Sequence, residues 1–381
     1  MAGYDIVCSA IHSWTTTLWQ RPHQIMSRLS KDNRVIYLRP MNILALIKFS
    51  EARAEYRMLS RYNENLHIFM PLVLPYGQVF PFITKVNDFL VTFQTKRLIK
   101  KLGFKNPLLW FYSPFGKYLI GKLDESLVVY DCMDEHAEFK FADSRLTRYE
   151  AELFGSADLV FTGGRSLYNR KKSSNPNTHL FPSSVDNEHF RRALSPDTAV
   201  PESVGSLKKP VIGYFGAVDE RIDYDLLAGL ADRRRDWSFA VVGPLTKVKK
   251  SELPKRANIH YLGKAEYSLL PGYLKGFDAG LIPFKQNSLT KMLSPTKTLE
   301  YFAAGCPVAS TPIPDMESDF GGLVHFGKNA DELEAAIQKA FETDRQTLHD
   351  AAARHSWDDT VASMQELIRD AVEKKESQRI F

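Results

Sequence analysis

The sequence predicts an α/β protein made of two doubly wound domains. Three observations predict it. At 381 residues the chain holds about two domains, at roughly 100–200 residues each. Short unbroken apolar runs alternate with stretches of helical period, the pattern of parallel strands buried on both faces. The alternation also starts afresh at Val211, after a Pro-, Ser- and Gly-containing stretch at 191–209 without periodicity. The expected units are 1–190, a linker at 191–209, and 210–381, with the last helix free to pack back on the first domain.

Tyr4–Ala10 is a compact apolar run that predicts a central strand. After a loop at Ile11–Gln20, the stretch Arg21–Leu29 begins a helix with Pro22 near its start, and Arg34–Leu38 is a second strand. Ligands of such a βαβ unit sit at the carboxyl ends of the strands, so the loop at 11–21 faces the cleft. Residues 41–103 are aromatic and basic with weak strand signals, and Pro71–Pro81 is loop-like. Lys85–Leu102 predicts a helix with Val86, Phe89, Leu90 and Phe93 on one face and Lys96, Arg97, Lys100 and Lys101 at its end. That pattern suits a membrane surface, or a core-packed helix whose last turn attracts cations. Leu108–Tyr112 and Leu127–Tyr130 are further strands. The second runs into Asp131-Cys-Met-Asp134-Glu135-His136, which puts carboxylates and an imidazole where a parallel sheet carries its chemistry. A helix at Leu146–Phe154, a strand at Ala157–Phe161 and a strand at His179–Val185 complete this half. Gly163-Gly164 between the strands could let backbone approach a ligand.

In the second half Val211–Phe215 is a strand opening onto Gly216-Ala217-Val218. Leu226–Leu230 is helical, and Ser238–Val242 is a strand ending in Gly243-Pro244. Ile259–Leu262, a helix near Tyr267–Lys275 and Ala279–Pro283 continue the alternation, while Glu332–Phe341 and Thr360–Lys374 are amphipathic helices. The richest stretch is Ser294–Thr311. Ser294 is a good N-cap and Pro295 suits the first helical position. Leu299, Phe302 and Ala303 share a face, Gly305 stops the helix, and Pro-Val-Ala-Ser follows as a buried strand. A helix start offers free N–H groups and a positive dipole end to an anion. Lys297 stands in that first turn, near Thr296, and Glu300 one turn on can accept two hydroxyls. Together these describe a nucleotide-sugar site.

Glu300-Tyr-Phe-Ala-Ala-Gly-Cys-Pro-Val resembles the C-terminal-domain signature of GT-B glycosyltransferases, two Rossmann-like domains across a cleft, and in particular the retaining, family 4-like group of bacterial polysaccharide biosynthesis. Trp19-Gln-Arg-Pro-His-Gln24, the run from Ala157-Asp-Leu-Val to Val185-Asp and Phe190, and His355-Ser-Trp357 resemble other parts of that group. The resemblance implies that Glu300 holds the donor's ribose hydroxyls. It also implies Ser294, Thr296 and Gly216 around the donor. Familiar members carry a glutamate eight positions before the ribose glutamate and an arginine directly after the first glycine. Here those positions are Met292 and Ala217, so Arg221 and Lys297 are the expected cations for a pyrophosphate. Asp134 and Glu135 are the candidate catalytic carboxylates, and Arg21, Trp19 and His136 lie on the acceptor side.

Cys8, Cys132 and Cys306 have neither metal-like nor disulfide spacing. No apolar run approaches the roughly 18 residues of a membrane span, and the start has no signal pattern, so a cytoplasmic protein is expected. Residues 1–190 hold 24 Lys+Arg against 18 Asp+Glu, whereas the remainder holds 26 against 27. A basic first half suits an anionic lipid surface at the inner face of a membrane, or simply a solvated surface. The expectation is a glycosyltransferase, with retention implied by the resemblance, that moves a sugar from a nucleotide sugar to a glycan or lipid-linked acceptor. It needs no cofactor or metal and binds no nucleic acid. The alternatives are a non-catalytic binding module or a sugar-nucleotide epimerase on the same fold.

Overall fold

The computed structural model describes residues 3–15, 19–44, 58–77, 79–138, 143–294 and 296–379; Pro295 therefore lies outside the described residues, as does the side chain of His136. Among the described residues ten strands fall in the first half. They are β1 (Asp5–Ser9), β2 (Arg34–Leu38), β3 (Met41–Asn42), β4 (Leu59–Arg61), β5 (Leu66–Phe69), β6 (Leu72–Val73), β7 (Leu108–Phe111), β8 (Leu127–Cys132), β9 (Leu159–Thr162) and β10 (Thr178–Leu180). Eight of them form one sheet in the order β10-β9-β8-β7-β1-β2-β5-β4. All its pairings are parallel except β4 with β5. β3 and β6 pair separately. The second sheet contains β11 (Val211–Phe215), β12 (Ser238–Val242), β13 (Ile259–Gly263), β14 (Ala279–Ile282), β15 (Val308–Ser310) and β16 (Val324–Phe326), in the parallel order β13-β12-β11-β14-β15-β16. β7, β8, β11, β12 and β14 are buried along their whole length, which is why they read as unbroken apolar runs.

The helices that position the site are α1 (Arg21–Leu29), α2 (Pro81–Leu102), α3 (Leu146–Ser156), α4 (Arg165–Lys171), α5 (Asn187–Arg191), α6 (Tyr224–Arg233), α7 (Leu270–Gly276), α8 (Thr296–Ala303), α9 (Pro314–Phe320), α10 (Ala330–Phe341), α11 (Arg345–Ala353) and α12 (Trp357–Arg379). One face of the first sheet packs against α1 and α12. Trp357, Val361, Met364, Ile368 and Val372 of α12 join the same apolar core as Ile6, Trp110 and Phe161. Burying such side chains stabilises by about 1.5–3 kcal/mol each, enough to hold α12 on the first sheet although it follows the second in sequence. The opposite face packs against α2 and α3. The stretch 191–209, expected as an unpatterned linker, contains short helical turns at Arg192–Leu194 and Glu202–Gly205.

The face expected of α2 is not the one it buries. Val91, Thr92, Thr95 and Leu98 are buried, whereas Phe89 is 67% and Phe93 55% exposed, the two rings stacked with centroids 6.3 Å apart. Apolar spacing was the misleading signal: the sheet-facing side uses two threonines and leaves the phenylalanines outside. The helix also begins earlier, at Pro81, and closes on Gly103 in the left-handed region. Among the described residues no helix is long and apolar enough to cross a membrane.

Candidate functional site

Each sheet reverses its strand order at one point, where β1 meets β7 in the first and where β11 meets β14 in the second. Crevices at the carboxyl ends of such strands are where open α/β sheets bind ligands. Both open onto one cleft of about 750 Å³ between the two sheets. From the first half it is lined by His12 after β1, Ser113 and Phe115 after β7, and Met133 and Asp134 after β8. From the second come Gly216, Ala217, Asp219 and Arg221 after β11, Gly243, Pro244 and Lys247 after β12, and Lys297 and Glu300 of α8.

The donor-side geometry is built on two glycines. Gly216 has φ +130° and Gly243 φ +151°, and a Cβ on Gly243 would fall 1.7 Å from the Gly216 carbonyl oxygen. A Cβ on Gly216 would fall 2.2 Å from Lys297 Cε and 2.8 Å from Nζ. The absent side chains thus let Lys297 lie across the end of β11, with Nζ 5.8 Å from the Tyr214 ring centroid. Burial, reinforced by the nearby Arg221 charge, pushes the Lys297 pKa down, against the attraction of Glu300, Asp219 and Asp134. Burial raises the Glu300 carboxyl, opposed by Lys297 and assisted by Asp186. A cation and a carboxylate both held toward neutrality by burial are groups that gain when a ligand supplies counter-charge or hydroxyls.

Arg221 also reaches the cleft, but its guanidinium is clamped on a neighbour. Nε lies 2.9 Å and Nη2 2.7 Å from the Asp219 carboxylate, with the Arg221 N–H donating to the same Oδ1 at 3.0 Å. Asp219 was not anticipated, although an Asp two residues before an Arg in a loop is a familiar local pair. Ser294 and Thr296 line the cleft beside Lys297.

On the facing side Asp134 lines the cleft, near enough to act electrostatically on both Arg221 and Lys297. Glu135 does not. Its carboxylate is buried, paired with Lys171 at 3.1 Å and Arg170 at 3.3 Å, and Lys171 also holds Glu150 at 2.6 Å. Glu135 therefore belongs to the interior beside α4 and not to the cleft, and of the two expected catalytic carboxylates only Asp134 lines it. His136 starts a short turn, His136–Glu138.

Arg21 lies at the cleft wall but is mainly structural. Nε donates to both Asp131 oxygens at 2.9 and 3.0 Å, and Nη1 to the Phe181 carbonyl at 2.7 Å. Nη2 remains buried without a protein partner among the described residues. Asp131 is fully buried, and removing one partner of such a pair costs about 3–5 kcal/mol. Trp19 stacks on Tyr267 of the second half at 5.7 Å, and Tyr267 stacks on His189 at 4.2 Å. Gln24 Nε2 donates to the Tyr267 hydroxyl at 3.1 Å. Tyr267 was read as part of a helix and its bridging role missed, because nothing local marks a contact so distant in sequence. Gly163 and Gly164 also serve a different purpose from that expected. Their absent side chains admit the Met133 backbone and the Asp315 carboxylate of α9, which accepts from the Ser166 N–H at 2.9 Å. Arg165 pairs with Asp319 at 2.9 Å beside it. These contacts fasten the two halves on one side of the cleft. Among the described residues no group of three His, Cys, Asp or Glu side chains is placed to hold a metal ion.

Comparison with known proteins agrees with this architecture. Residues 209–343 match the family model described as glycosyl transferases group 1. TuaH of Bacillus subtilis (strain 168), named as a teichuronic acid biosynthesis glycosyltransferase, is 25% identical over 226 residues. That match spans 54% of this chain and 55% of the relative, about half the length of each. Sucrose-phosphate synthase of Thermosynechococcus elongatus superposes with a TM-score of 0.73 at 12% identity, covering 96% of this chain and 98% of that one. Anabaena HepE, solved in complex with UDP and glucose, gives 0.65 at 12% identity over 96% and 99%. The fold is GT-B, and the resemblance to GT-B glycosyltransferases seen in residues 300–308, which lie within the matched stretch, is borne out at that level.

Proposed function

We propose that this chain is a glycosyltransferase that moves a sugar, with retention, from a nucleotide-sugar donor to a glycan, lipid-linked or related glycoconjugate acceptor. The observation that carries this reading is Lys297 lying against Gly216 at the strand reversal of the second sheet, with Glu300 one turn away and Asp134 opposite. HepE was solved with UDP-glucose and TuaH is named for a biosynthetic glycosyltransferase, which supports the same donor class here. The donor nucleotide sits on the second half, Glu300 accepting its two ribose hydroxyls. Lys297, Arg221 and the start of α8 hold the diphosphate.

Sugar transfer passes through an oxocarbenium-like state, and the charge growing on the leaving diphosphate is what the site must stabilise. Lys297 gains most here, since its ammonium is desolvated before any anion arrives. The acceptor enters from the first half, where Asp134 takes its proton or holds its hydroxyl in line. The chain contacts an anionic membrane peripherally through the basic first half and the exposed rings of α2.

A thermal-shift panel of nucleotide sugars and nucleotides identifies the donor, since a ligand at 100 times its Kd stabilises by about 2.7 kcal/mol. Incubating that donor alone then discriminates the classes. Slow release of free sugar supports a transferase, a new sugar nucleotide indicates an epimerase, and an intact donor indicates a binding module.

A further inference from the structure

A second cavity of about 840 Å³ lies wholly in the first half and shares Ile11, Ser113, Phe115 and Asp143 with the cleft. The two spaces adjoin at these residues. Val73, Leu74, Val79, Val91 and Ile120 contribute apolar surface to it. Its polar lining is largely occupied within the protein. Arg145 holds Asp143 at 2.7 Å, Lys117 holds Glu152, and Asn87 satisfies both backbone groups of Leu74 at 2.8 and 3.0 Å. The apolar side chains share the rest of the lining with Asp88 and Tyr118. Leu74 and Val79 of the lining are 41% and 65% exposed, and Phe80 and Phe82, next along the chain, are 52% and 71% exposed, an unusual run of bare apolar side chains.

We infer that this second cavity binds the apolar chain of an amphiphilic acceptor whose polar head occupies the cleft. The inference rests on the glycosyl-transfer reading of the cleft, and adds where the acceptor's hydrocarbon goes. A carbohydrate in this cavity would have to compete with Asp143 and Glu152 for Arg145 and Lys117. A hydrocarbon needs only apolar surface, which Val73, Leu74, Val79 and Ile120 present, and the exposed Phe80 and Phe82 follow Val79 in the chain.

The probes are n-alkyl β-glucosides from hexyl to nonyl, titrated calorimetrically below micelle-forming concentrations. Each methylene entering an apolar site contributes about 0.8 kcal/mol, so affinity should rise about three- to fourfold per carbon. Affinity independent of chain length overturns the proposal. Leu74→Asp and Val79→Asp change exposed rim residues and should abolish the chain-length dependence, whereas Phe89→Asp, on the outer face of α2, should preserve it. Retention of the dependence in both rim variants also overturns it. Nucleoside-diphosphate affinity, measured on the same proteins, should be unchanged. If wild-type protein binds no nucleoside diphosphate while the alkyl series behaves as expected, the cleft reading fails and the chain site stands.

Discussion

Gly216→Ala should weaken nucleoside-diphosphate binding without introducing any group that touches the ligand. The new Cβ would lie 2.2 Å from Lys297 Cε. Carbon atoms prefer separations of about 3.5–4.0 Å, so the lysine must retreat by about 1.3 Å or more. A hydrogen bond from Nζ to a phosphate oxygen, optimal near 2.9 Å, does not survive such a shift. Losing one charge-assisted bond costs about 1.5–3 kcal/mol, which is roughly a 10- to 150-fold rise in Kd. The alanine must also adopt φ +130°, a strain of about 1–3 kcal/mol that lowers the melting temperature. The assay is calorimetric titration with the nucleoside diphosphate selected by thermal shift, run on Gly216→Ala, Lys297→Ala and the double variant. If the glycine acts through the lysine, the double variant binds no worse than Lys297→Ala alone. Losses that add fully would refute the reasoning, as would a folded Gly216→Ala protein with unchanged affinity.

Glu300→Ala should lose two hydrogen bonds to the ribose, about 2–4 kcal/mol, while a pyrophosphate probe binds as before; equal loss for both would place Glu300 elsewhere. The affinity for nucleoside diphosphate should be bell-shaped in pH. Bound ligand favours ionised Glu300, so affinity rises with pH through a carboxyl pKa that burial has raised. It also favours protonated Lys297, so affinity falls, by up to tenfold per pH unit, beginning below the ordinary lysine range near 10.4. Glu300→Gln should remove the acid limb and Lys297→Arg the alkaline one; a profile flat in wild type would contradict both roles. Sedimentation with anionic vesicles should show binding that weakens with salt and drops in a Phe82→Asp, Phe89→Asp protein, and absence of binding at low ionic strength would leave those rings without a membrane role.

Much of the fold was legible because parallel strands must be apolar throughout. Arg34–Leu38, Val211–Phe215 and Ser238–Val242 have the boundaries the sequence predicts. The short strands β4 and β5 were blurred by charged and polar neighbours, and α11 and β16 were not anticipated. At the site, Lys297, Glu300, Gly216 and Asp134 come together because each follows a strand or starts a helix, positions that topology sends to one cleft. Glu135 was misread because its buried pairing with Lys171 and Arg170, distant in sequence, leaves no local mark. Arg221 was legible as a cation, but its clamp on Asp219 depends on loop geometry. Gly163 and Gly164 looked like ligand-facing glycines, and only their neighbours show that they accommodate Met133 and Asp315.

The claim at the centre of this account is a division of labour across the cleft, with the donor on the second sheet and the acceptor on the first. Comparing Asp134→Asn with wild type in both donor affinity and turnover tests it most directly. The account predicts that turnover falls by about 100-fold or more while the Kd for donor hardly changes. Lost donor binding with normal turnover at saturation would put Asp134 on the wrong ligand and contradict it.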